Sequence, residues 1–156
     1  MDIEALNAMG ERAVAAAIEQ LKRNGKFPPL FLVESPAGCD AVTGRSETEQ
    51  GWSAARDDMA EKIRELVRTK NAYAVIGTTD SWITEPLKGG RRRSAILIRI
   101  ETPIYERSIL QFYYRNAEGA IILRERQQTD TLAKDFRPGV GRFMRFFSPV
   151  ETKAAQ

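Results

Sequence analysis

The sequence predicts an α+β domain: an antiparallel sheet of four to six strands, two amphipathic helices packed on one face of it, and a C-terminal arm. Three observations carry this expectation. Two long stretches repeat their apolar residues at three- and four-residue steps, the period of a helix with one buried side. Between residues 72 and 127, segments rich in β-branched and aromatic residues follow one another. The turns that separate them are too short for a helical crossover, so neighbouring strands must run antiparallel.

Each element follows from its own residues. In 3–24, Ile3, Leu6, Met9, Ala13, Val14, Ala17, Ile18 and Leu21 form an apolar stripe, with Asp2 as N-cap and Asn24-Gly25 as a left-handed stop. Pro28-Pro29 then leads into a short, continuously apolar strand at 30–34, and Pro36-Ala37-Gly38 turns it back into a weaker strand at 39–43. Ser46-Glu47-Thr48-Glu49 has the capping-box pattern and opens a helix over 47–70, whose buried side holds Trp52, Ala55, Met59, Ile63, Leu66 and Val67. Strands are expected at 72–84, 94–101, 107–115 and 119–127, and a short helix at 130–136 capped by Asp130. Residues 1–128 read as one domain and 129–156 as the arm, ending in a frayed tail.

The element order resembles that of a group of short bacterial and phage proteins that run helix, strand, turn, acidic linker, helix and meander. The matching pieces are Phe27-Pro28-Pro29-Leu30-Phe31, the second helix, the strand from Ala74 to Asp80-Ser81-Trp82, and Arg92-Arg93-Ser94-Ala95-Ile96-Leu97. The resemblance implies the element order over residues 1–127 and no activity.

Composition bounds the chemistry. The chain has 156 residues and no histidine. A Ser-His-Asp or Cys-His nucleophile, a histidine metal site and a histidine pH switch are therefore excluded. Cys39 is the only cysteine. A structural role fits it better than a nucleophilic one, and a reducing cytoplasm is the expected setting. No apolar run approaches the ~20 residues that span a bilayer, so no membrane contact is expected. No cofactor or metal is expected either, because Lys88-Gly89-Gly90 and Gly139-Val140-Gly141 lack the order and context of phosphate-binding loops.

Charge is divided along the chain. Residues 1–90 hold 11 Lys+Arg and 14 Asp+Glu, a net of −3, whereas 91–156 hold 13 and 7, a net of +6. All of the latter basic residues except Lys134 and Lys153 are arginines, whose planar forks suit carboxylates and phosphates. Arg91, Arg92 and Arg93 open a strand after Gly-Gly, and Arg137, Arg142 and Arg145 interleave with Phe143, Phe146 and Phe147. These nine residues are the expected partner-contact set. The first reading is a non-catalytic interaction protein, self-associating and contacting an acidic protein partner. A phage or mobile-element protein that blocks a host complex is a special case. The alternative is a nucleic-acid-binding accessory protein using the same arginines and aromatics. The second alternative is an enzyme with a carboxylate site at Asp80, walled by Trp82.

Overall fold

Residues 2–44, 49–85, 89–132 and 146–147 are described by the computed structural model. Their order is α1 (Ile3–Asn24), β1 (Leu30–Ser35), β2 (Gly38–Thr43), α2 (Glu49–Thr69), β3 (Ala74–Glu85), β4 (Arg91–Glu101), β5 (Tyr105–Arg115) and β6 (Ile121–Leu132). The fold is thus α+β, with six strands among the described residues in the order β2-β1-β3-β4-β5-β6 and every neighbouring pair antiparallel. The ends of α1 are those the sequence dictates. Asp2 Oδ1 accepts the Glu4 N–H at 2.9 Å, and Gly25 at φ 75° returns its N–H to the Leu21 carbonyl at 2.9 Å. Residues 46–48 of the expected capping box lie outside the described residues.

The two helices do not share a face, and this corrects the expected placement. Paired residues in an antiparallel ladder point to the same side of the sheet, and successive residues to opposite sides. Ile76 of β3 pairs with Leu32 and Ile100, and packs with Leu6, Val14, Ala17 and Leu21 of α1. Its neighbour Val75 pairs with Val33 and packs with Met59, Ala60 and Ile63 of α2. The centre of the sheet is therefore buried on both sides, with α1 over β3 and β4 and α2 over β1 and β2. Leu30–Val33 of β1 and Ala74–Ile76 of β3 are continuously apolar, so both of their faces need cover and each helix supplies one.

The second core is completed from the far end of the chain. Phe146 and Phe147 are each 5% exposed and pack with Phe31, Val33 and Ile63, the Phe31 and Phe146 rings meeting edge-on at 5.5 Å. Their backbone N–H groups both donate to Oε2 of the buried Glu101 at 2.8 Å. Arg99 donates to Oε1 of Glu101 at 3.3 Å and to Oε1 of Glu106 at 2.9 Å, so a charged cluster backs the docking point.

The expected short helix at 130–136 is not formed over its first part. β6 runs on to Leu132, because Asp130 accepts two hydrogen bonds from the Arg107 guanidinium across the ladder, at 2.7 and 2.9 Å. Residues 133–136 of that helix, Gly139-Val140-Gly141 and the tail at 151–156 lie outside the described residues.

Candidate functional site

The ladder between β4 and β5 stops short. It runs from Glu101↔Glu106 to Ser94↔Tyr113, whereas β3 and β4 stay paired to Glu85↔Arg91 and β5 and β6 to Arg115↔Ile121. Beyond Ser94 and Tyr113 the two hairpins diverge as the prongs of a fork. The cleft between them has a volume of about 530 Å³ and is lined by Arg91, Arg92, Arg93 and Ser94 on one prong and by Tyr113, Tyr114, Arg115 and Arg124 on the other. A register shift in β6 opposite Gln111–Tyr113 leaves Arg124 and Glu125 to share Phe112 as partner. That extra residue brings Arg124 against the Tyr114 ring, 4.7 Å from its centre.

Guanidiniums and rings alternate around the fork. Arg92 lies 5.5 Å from the centre of the Trp82 ring, and Arg93 3.9 Å over Phe112. Arg93 is also ion-paired to Glu125, and Arg115 donates to the Gly25 carbonyl at the end of α1. Such contacts hold long flexible side chains in place around the fork. Trp82 is 72% exposed and Tyr114 42%, and a smaller recess of about 110 Å³ lies between Trp82 and Arg92, Arg93 and Ser94. Among the described residues, no carboxylate lines the main cleft. Chemically, this is a positively charged slot with open aromatic surfaces.

Asp80 and Trp82 occupy one face of β3, as their spacing predicts, but they do different jobs. Asp80 Oδ1 accepts the Tyr113 hydroxyl at 2.8 Å. Burial raises its pKa above the ordinary carboxylate value, against the lowering effects of the Tyr113 hydrogen bond and the Arg115 charge. Tyr113 is pushed up to about 12, by burial first and then by its bond to Asp80 and the charge there. Cys39 lies on β2, away from the fork. Desolvation, then the hydrogen bond and charge of Glu34, push its thiol up to about 11, so it is protonated at neutral pH and a weak nucleophile. Among the described residues, no three His, Cys, Asp or Glu side chains come together as metal ligands. Among the same residues, no helix is long and apolar enough to cross a membrane.

The expected contact set is divided by the structure. Arg91, Arg92 and Arg93 lie at one end of β4 and join the fork. Phe146 and Phe147 dock on Glu101 at the other end, ten residues away and so roughly 33 Å along the strand. They are core residues here and take no part in the fork. Arg137, Arg142, Phe143 and Arg145 lie outside the described residues. The sequence reading missed Tyr113, Tyr114, Arg115 and Arg124. Their signal was available: Tyr113-Tyr114-Arg115 closes one hairpin strand and Arg124 opens the next, so pairing places them beside the end of the Arg91–Arg93 strand.

No protein-family model, curated protein or solved structure matches this chain.

Proposed function

We propose that this chain is a non-catalytic binding module that holds an acidic partner in the fork between β4 and β5. The single observation that carries this reading is the cleft itself, with five arginines and no carboxylate among the eight described residues that line it. Arginines that converge on one slot repel each other, and an anion placed among them relieves that repulsion while gaining charge-assisted hydrogen bonds. The Asp80 carboxylate, on which an enzymatic reading would rest, already accepts from Tyr113 and serves the junction of the two hairpins.

The proposal includes self-association, favoured by the opposite net charges of residues 1–90 and 91–156. The single cysteine, Cys39, which has no second cysteine in the chain to pair with, supports a reducing, cytoplasmic setting. The test is retention on a polyanionic resin such as heparin, with light scattering at low and high salt. The wild-type chain is expected to bind at low salt and elute as salt rises. Replacing Arg91, Arg92 and Arg124 together by Gln should abolish retention. Equal retention of that variant would overturn the reading.

A further inference from the structure

Resting on the reading of the fork as an anion site, we infer that its occupant is a single strand of nucleic acid, its phosphates held by the arginines and its bases stacked on Trp82 and Tyr114. An acidic peptide would need only the charges. The fork offers more, because each prong carries one exposed ring with a guanidinium beside it. Trp82 stands with Arg92 on the β3–β4 prong, and Tyr114 with Arg124 on the β5–β6 prong. Base stacking on such rings is tolerant of sequence, and adjacent arginines neutralise the backbone that carries the bases.

The ladder fixes how the two rings are arranged. Trp82 shares a row with Ser94 and Tyr113 on the α1 side of the sheet, so Tyr114, one residue on, faces the α2 side. They stand on strands two positions apart, roughly 10 Å across β4. A chain that touches both must pass through the gap between the prongs. An unpaired, flexible strand can do so and present a base to each ring. A duplex keeps its bases stacked inside and offers neither ring a face. The recess beside Trp82, walled by Arg92, Arg93 and Ser94, gives the first base a pocket open to its edge.

The experiment compares three probes on the full chain: a single-stranded DNA 12-mer of mixed sequence, the same sequence as a duplex, and polyglutamate of similar charge. The single strand is expected to bind at least tenfold tighter than either competitor and to quench tryptophan emission. For three to four phosphates, its affinity should fall about 20- to 50-fold between about 50 and 200 mM salt. Trp82→Phe should keep most of the affinity but lose the quenching, since the only other tryptophan, Trp52, lies in α2. Trp82→Ala should weaken binding about tenfold, and Trp82 is exposed enough that folding is not at stake. Duplex or polyglutamate binding as tightly as the single strand, or binding with no change in emission, would overturn the inference and leave the acidic-partner reading standing. Failure of all three probes to bind at low salt would overturn both.

Discussion

The Tyr113 hydroxyl donates to Asp80 Oδ1 over 2.8 Å, diagonally across β4, at the level where the two hairpins part. The bond ties the β3–β4 prong to the β5–β6 prong just below the fork. Its two partners titrate in a linked way. Both have folded-state pKa values raised by burial, Asp80 above the usual carboxylate value and Tyr113 to about 12.

A group whose pKa is raised on folding binds its proton more tightly in the native state, so its stabilising contribution is lost as pH rises through the folded value. For Tyr113 that contribution is complete below its ordinary pKa of 10 and disappears as the pH rises through about 12. For Asp80 it is complete below 3.8 and disappears as the pH rises through the raised value. Thermal melts of wild type and Asp80→Asn across the acidic range should therefore diverge, with the wild type losing ground to the variant as pH increases. The variant still offers an amide oxygen to Tyr113, so it should fold and keep its anion affinity. Ultraviolet titration should show one of the four tyrosines resisting ionisation until about pH 12. A wild type and variant with parallel pH profiles would contradict the assignment.

At the other end of β4, Glu101 carries a different load. It is 1% exposed, accepts from two backbone N–H groups, and faces Arg99. Glu101→Ala removes one member of a buried ion pair and leaves two buried amide hydrogens without their acceptor. Urea unfolding should show a loss of about 3–5 kcal/mol. Glu101→Gln keeps an oxygen of nearly the same shape and should cost less. The readout specific to docking is hydrogen exchange at Phe146 and Phe147. It should speed up in Glu101→Ala beyond what the global loss of stability explains.

The contrast between Val75 and Ile76 shows how much of the fold could be read from the residues. The element order, the cap at Asp2, the stop at Gly25 and the antiparallel meander were legible because local chemistry sets them. The placement of the helices was not read correctly, although a signal existed. Leu30-Phe31-Leu32-Val33 and Ala74-Val75-Ile76 are continuous apolar runs, which belong to strands covered on both faces. At Asp130, capping chemistry in the sequence competed with a long-range partner, Arg107, 23 positions earlier, and only tertiary structure reveals that partner. The fork depends on where one ladder ends, a matter of twist and register between hairpins. The strand ends already set Tyr114 and Arg124 near Arg91–Arg93, but the end of the β4–β5 ladder at Ser94↔Tyr113, which opens a cleft among them, was not visible.

Two glycines make opposite predictions, and together they test how rigid each core is. A Cβ on Gly10 of α1 would meet Ile100 Cδ1 at 2.7 Å, the free end of a side chain that can rotate away. Ala is also favoured over Gly in a helix by about 1 kcal/mol. Gly10→Ala should therefore be close to neutral in urea unfolding. A Cβ on Gly77 of β3 would overlap Phe31 Cε1 and lie 2.7 Å from Cδ1. That ring cannot yield alone, because it packs edge-on against Phe146, whose backbone is fixed by Glu101. Gly77→Ala should cost about 1–3 kcal/mol through overpacking. It should also accelerate hydrogen exchange at Phe146, as the displaced ring pushes on its neighbour. Adding Phe31→Leu to Gly77→Ala should restore part of the loss, since the shorter side chain makes room for the methyl. A double variant no more stable than the sum of its single changes predicts would show that the Phe31 contact is not what excludes a side chain at position 77.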